Sequence, residues 1–310
     1  MEVFMKLRFD VNDRNQPDPF IFEDEGKFYL YVTARDGVEA YSSDDIFGEW
    51  HFEGIVGSVE GARAYWAPSI IKIDGRYYIY VSCIKGEEFE YMYVMSSDSP
   101  LGPFENQKRL YDYFSIDSHV VQTDDGLFLW FARDEDDHKE RVGTRICIDR
   151  LIDPYTPEYK VKDMIFATLD EEINTNKYTK ECPWHTIEGP FWFCEDGWQY
   201  VMYSGACYEN DMYHVGYASA KTDGSDLTKI DFIKHTPEGK FSPVLIKNEF
   251  EEGTGHHSVI KHGGEYYAIY HARDYRDESD EHYVERRTAR VCKLHVKDGI
   301  ITAERYAEKV

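Results

Sequence analysis

Five segments of this chain share one form, and that repetition limits the possible folds more than any other feature. They read "DPFIFEDEGKFYLYVTA" from Asp18, "APSIIKIDGRYYIYVSC" from Ala67, "DSHVVQTDDGLFLWFAR" from Asp117, "EGPFWFCEDGWQYVMYSG" from Glu188 and "HHSVIKHGGEYYAIYHA" from His256. Each is a short apolar strand, an acidic or Gly-rich turn, then an aromatic strand. The turns end at Gly26, Gly75, Gly126, Gly197 and Gly264, eight or nine residues into each segment, which is hairpin spacing. More strand-like sequence follows each hairpin, as in "YMYVMSSDS" and "RRTARVCKLHV". Units of four short strands, recurring at roughly 50–70 residues without a long helical pattern, predict an all-β five-bladed propeller. Four-stranded antiparallel blades would stack around a central channel, because none buries both faces alone. A pair of β-sandwiches would not explain why all five hairpins begin alike. No Pro/Gly/Ser-rich linker interrupts the repeats, so residues 1–310 are expected to form a single domain. The longer spacings after the third and fourth units hold the turn-rich stretches "DPYTPEY" and "LDEEINTNKYTKECPW", expected as rim loops.

Composition narrows the partners. Aromatic residues make up 16% of the chain, consistent with sheet, and the formal charge is −24. So acidic a chain is a poor match for nucleic acid or an anionic membrane surface, and a neutral or cationic ligand suits it better. The N-terminus "MEVFMKLRFD" lacks the apolar core of a signal peptide. The six cysteines are scattered, several inside strand-like runs, as expected of reduced thiols in a cytoplasmic protein. "CPWH" has no second ligand pair, so it does not predict a zinc site.

In a propeller the first strand of each blade lines the channel, so the residues opening the repeats should meet near one mouth of the axis. In order these are Asp18, Ala67 with Trp66 before it, Asp117, Glu188 and His256. Three carboxylates, an indole and an imidazole would share one pocket. Carboxylates brought together raise one another's pKa at a cost in stability, so structure alone would not select the cluster. Taken singly, an Asp before Pro is an ordinary turn residue and a Glu at a strand start is ordinarily solvated. Their joint occurrence at equivalent positions argues for function.

The ordered set "PDPF", "YWAPSI", "SIDSHVV", "TIEGPFWF" and "GTGHHSV" resembles glycoside hydrolase family 43, five-bladed propeller enzymes that invert configuration at arabinosyl and xylosyl bonds. The resemblance runs from about Asp18 to "RTARV". It implies that Asp18 is the general base, that Asp117 tunes and orients the acid, and that Glu188 is the general acid. The chemistry needs these types independently: one carboxyl protonates the leaving oxygen while an ionised one activates water on the opposite face. Asp117 would keep Glu188 protonated by repulsion, and the apolar "PFWF" run, with Phe191, would wall the pocket.

The resemblance also implies sugar contacts from Trp66, as a stacking wall, and from Arg290, with Arg287 the competing candidate because a one-residue slip flips the strand face. His256 matches a histidine that borders a central calcium in some members. An imidazole is a poor calcium ligand, so contact would pass through water. Thr254 and His257 depart from the family pattern at this motif. No cofactor is required by the chemistry. The function expected is exo-release of terminal α-L-arabinofuranose from arabino-oligosaccharides, with β-xylosidase action on xylo-oligosaccharides as the alternative. A non-catalytic sugar-binding propeller is the alternative from another class, and it predicts that one of the three carboxylates is missing or displaced.

Overall fold

The computed structural model describes residues 6–11, 13–86, 89–135, 141–174, 183–275 and 286–305. Part of the rim stretch expected before the fourth repeat, residues 175–182 with Cys182, lies outside them. The described regular structure is strand, apart from three single-turn 3-10 segments. It forms five sheets, each opening on an inner strand from one repeat. Those inner strands are Phe20–Asp24, Ala62–Ile73, Ile116–Thr123, Ile187–Glu195 and Glu251–His262, and they define blades 1 to 5. Each pairs antiparallel with the strand after its hairpin turn. In four turns both central residues have positive φ (Glu25 and Gly26, Asp74 and Gly75, Asp196 and Gly197, Gly263 and Gly264). That geometry matches the strand twist, which is why an acidic residue or glycine before glycine recurs there.

Three blades are four-stranded as expected, but blade 1 has five strands and blade 3 has seven. In blade 1 the extra strand is Arg8–Phe9, lying parallel to Glu49–Gly57. In blade 3 the connection to blade 4 contributes short strands that cover the outer edge of Gly143–Asp153. Both additions occupy backbone donors and acceptors that an open edge would leave exposed.

The core is divided among the gaps between blades. Among the described residues there are five apolar clusters, one for each pair of neighbours, including blade 5 against blade 1. Strand alternation explains this: Tyr29 and Tyr31 face blade 2, whereas Phe28, Leu30 and Val32 face blade 5. Such strands are apolar on both faces, hence the continuous aromatic runs in the sequence. The ring is closed by the N-terminal segment. Leu7 donates its N–H to Ala289 O (3.0 Å) and Gln16 to Arg287 O (2.8 Å), while Leu7 and Phe9 fill the blade 1–blade 5 cluster.

The inner strands begin abnormally. Asp18, Ala67, Asp117, Gly189 and His256 all have positive φ, between 43° and 61°. Pairing shifts register at this point in blades 2 to 5. An L residue in this region is strained by about 1–2 kcal/mol, and these four bulges, with the matching turn at Asp18, direct side chains toward the axis that a regular strand would direct elsewhere.

Candidate active site

At one mouth of the axis the bulges enclose a pocket of about 100 Å³ lined by Asp18, Thr33, Trp66, Ile116, Asp117, Glu188, Tyr208, Tyr213, His256 and Arg287. All three predicted carboxylates meet there, together with Trp66 and His256. This is contrary to what a non-catalytic propeller predicts. A second layer beneath, with only about 10 Å³ of free space, is formed by the positive-φ ring and residues following it, including Pro19, Pro68, Pro190, Phe191 and His257.

Two sequence expectations are corrected. Phe191 belongs to the lower layer, stacked on His119 (ring centroids 4.0 Å apart) and near Phe20. Two residues beyond the bulge, its side chain enters the channel core and does not wall the upper pocket. Arg290 is 1% exposed and does not reach the pocket. Its guanidinium pairs with buried Glu251 (3.1 Å) and with Asp274 (2.8 Å). Arg287, an odd number of residues earlier and therefore on the other face, lines the pocket instead, 3.7 Å from Asp18 Oδ1 and 4.4 Å over the Tyr208 ring.

Blade 4 also departs from the expected register. Glu188 is not level with Asp18 and Asp117. The positive-φ residue of its strand is Gly189, so Glu188 occupies the position of Trp66 and Ile116. The side chains of the preceding position rim the upper pocket, and Glu188 reaches it from that row.

Asp18 is held on every side. Thr33 donates its hydroxyl to Oδ2 and accepts the Ala67 N–H (2.8 Å), so the same hydroxyl that holds the carboxylate ties blade 1 to blade 2. The Asp18 N–H donates to His271 Nδ1 (3.1 Å), and His256 Nδ1 lies 3.5 Å from Oδ1. Burial works to raise its pKa, but His256, His271 and Arg287 prevail and hold it well below the ordinary carboxylate range. Burial lowers both imidazoles, His271 to about 4, so Arg287 is the neighbour that is charged at neutral pH.

Asp117 and Glu188 behave oppositely. Burial first, then the charges of Glu188 and Asp18, push Asp117 well up, although its Oδ2 accepts the Gly189 N–H (3.0 Å). Burial likewise raises Glu188, to about 7, with Asp18 adding to it and Tyr213 opposing through an O–H bond to Oε1 (2.6 Å). The two acids titrate as a pair that retains a proton near neutral pH. One site thus holds an ionised carboxylate and a protonated one, the division that acid–base chemistry on a single bond requires.

Asp117, Glu188 and His256 present donor atoms within 4.8 Å of one another. They do not fit calcium, which takes six to eight oxygens. One of the three donors is an imidazole and one oxygen of each carboxylate already accepts a hydrogen bond, so the chain itself supplies too few free oxygens. Sequence reasoning missed Thr33, Ile116, Tyr208, Tyr213 and His271. Apart from Ile116 they lie outside the inner strands, on which the repeat argument was built. A larger open groove of about 930 Å³, lined by Trp198, Lys221 and Ile300 among others, lies away from these acids, and its Asp226 is paired with Thr228 and Lys229.

The family model for "Glycosyl hydrolases family 43" matches residues 11–301. A Streptomyces chartreusis protein named "Extracellular exo-alpha-(1->5)-L-arabinofuranosidase" is 22% identical over 85% of this chain and 82% of its own length. A Bacteroides ovatus "Xylosidase/arabinosidase" is 24% identical over 85% of this chain and 88% of its own. The chain spans only 49% of a Humicola insolens "Alpha-L-arabinofuranosidase 43", at 24% identity. Among solved structures, a thermostable family-43 glycoside hydrolase superposes with a TM-score of 0.81 at 25% identity, over 99% of this chain and 98% of that one.

Proposed function

The chain belongs to glycoside hydrolase family 43, whose members cleave O-glycosyl bonds, and from that premise we propose that it is an inverting, exo-acting α-L-arabinofuranosidase. In this reading residues 1–310 form one catalytic propeller that removes terminal arabinofuranosyl residues from neutral oligosaccharides. The observation that carries it is the convergence of three carboxylates on one pocket, with Asp18 held low in pKa and the Asp117–Glu188 pair held high.

Glu188 gives its proton to the glycosidic oxygen as the C1–O bond breaks. Water adds its oxygen to C1 from the opposite face and yields a proton to Asp18. The products are an alcohol and a sugar of inverted configuration. Glu188 is left ionised and Asp18 protonated, and exchange with solvent restores both. Burial, with the Asp18 charge adding to it, holds Glu188 in its protonated range, Asp117 shares the retained proton, Trp66 supplies a flat apolar wall, and Arg287 helps keep Asp18 ionised and bonds the sugar. A pocket of about 100 Å³ is well below the ~300–1,000 Å³ of drug-sized sites, which supports one sugar ring and exo action. No step passes through a metal.

β-Xylosidase action is the second reading, favoured by the name and the 88% coverage of the Bacteroides ovatus relative. Rates on p-nitrophenyl α-L-arabinofuranoside and β-D-xylopyranoside decide between them, with ¹H NMR of the first-formed anomer. We expect the arabinoside to react faster and to release the inverted anomer. Hydrolysis of neither substrate overturns both readings, and a retained anomer overturns the mechanism.

A further inference from the structure

Tyr213 has no role in the reaction as derived above, yet its surroundings fix it closely. It is 1% exposed, and its hydroxyl donates to Glu188 Oε1 at 2.6 Å. Its ring stacks on His271, with centroids 5.7 Å apart and planes 14° from parallel. Gly255 and His271 are cross-strand partners in blade 5, and the Tyr213 ring lies against both. A Cβ at Gly255 would come within 2.0 Å of Tyr213 Cε1, so only glycine leaves the ring its place. Thr254 completes the cradle by donating its hydroxyl to Tyr213 O (3.3 Å). The "GTG" run, which departs from the family pattern at Thr254, is thus the seat of this tyrosine.

We infer that Tyr213 is a positioning residue for the general acid: its hydroxyl commits Glu188 Oε1 as an acceptor, so that the transferable proton sits on Oε2. The inference rests on the hydrolase reading above. A protonated carboxyl has one O–H, and an oxygen that accepts from a buried phenol is the less favourable place for it. Without this bond the proton distributes over both oxygens and the carboxyl is free to rotate. The same ring stacks on His271, which accepts the Asp18 N–H. The mounts of acid and base therefore touch through one stacked pair.

The groups facing Glu188 are Asp117, Asp18, His256, Arg287, Tyr208 and Tyr213. Of these, Tyr213 is the one that bonds it directly, and a donor to the carboxylate favours its ionised form. Removing the hydroxyl should therefore move the alkaline limb of kcat/KM upward.

The test is Tyr213→Phe in the full chain, beside Glu188→Gln, on an arabino-oligosaccharide and on a p-nitrophenyl glycoside whose leaving group needs little protonation. For Tyr213→Phe we expect kcat to fall about 10²-fold on the oligosaccharide and under ~10-fold on the aryl glycoside, with KM nearly unchanged and the alkaline limb moved up. Equal losses on both substrates with an unmoved limb would overturn the role. Site-specific 3-fluorotyrosine at position 213 keeps the shape, and so serves if the phenylalanine variant does not fold. Its more acidic hydroxyl should move the limb down, and no movement would overturn the inference. If Glu188→Gln retains full oligosaccharide hydrolysis, the assignment of the acid itself fails, and this inference with it.

Discussion

Arg287 and Arg290 stand three residues apart on opposite faces, and substitutions there should separate activity from stability. Arg287→Ala removes a cation 3.7 Å from Asp18, one of the groups, with His256 and His271, that hold its carboxyl ionised. The Asp18 pKa then rises, so the acidic limb of kcat/KM should move to higher pH, with activity at neutral pH down by about tenfold or more. Arg290→Ala instead removes one of the two arginines paired with fully buried Glu251, Arg305 remaining at 2.9 Å. We expect a loss of up to about 3 kcal/mol in denaturant unfolding and little change in kcat at a temperature where the variant is folded. In wild type, the proton on Glu188 should be lost near its pKa of about 7, placing the alkaline limb of the pH–rate profile there. Residue types were legible in the sequence where the chemistry demands them: Asp18, Asp117, Glu188 and Trp66 all reach the pocket. The two arginines were not separable, because strand parity depends on where a strand begins, and that is decided by pairing with neighbours.

At the scale of the strand, the bulge decides what the pocket contains. Aligning repeats by their acids sets Glu188 level with Asp18, whereas aligning by proline sets Gly189–Pro190 against Asp18–Pro19 and Ala67–Pro68, as the backbone does. The proline signal was present in the sequence and is the better guide, because φ > 0 followed by proline is a backbone constraint while an acid is only a side chain. The same alignment matches Phe191 with Phe20 and so places it deep in the channel. Gly189 is the member of the ring where a Cβ is absent, and an added one would meet the His256 ring at 3.4 Å. Gly189→Ala should cost about 1–2 kcal/mol from its φ of 59° and, because the added Cβ would meet His256 only at contact distance, leave kcat and KM nearly unchanged. Thermal unfolding and steady-state kinetics on the same preparation check both halves.

For the whole molecule, five blade-to-blade clusters were foreseeable from five repeats of doubly apolar strands, but the extra strands of blades 1 and 3 were not. Strands of two to four residues are too short to show a periodicity, and they form only because an edge is there to receive them. The active site opposes this stability in a pH-dependent way. The folded-state pKa of Glu188 lies above its ordinary value, so its contribution is fully present below about pH 4.5 and is lost as pH rises through about 7. Glu188→Gln should therefore stabilise the protein at pH 8 by on the order of 1–3 kcal/mol relative to wild type, with no such gain at pH 4. Prior treatment with EDTA should leave glycoside hydrolysis unchanged, and a loss restored by calcium would place a cation in the channel after all.

The N-terminal strap has one more consequence, for the life of the chain on the ribosome. Asp18 emerges with the first blade, but the groups that set its charge state, His256, His271 and Arg287, come with the last. The bond from Gln16 to the Arg287 carbonyl, which closes the ring, also seats the arginine beside it. Blades 1 to 4 can pair their strands as they are made, yet the pocket has no defined base until a contact across 253 residues has formed. A chain that stops short of the last blade is therefore expected to be inert, with hydrolytic activity reporting completed ring closure more strictly than secondary structure does.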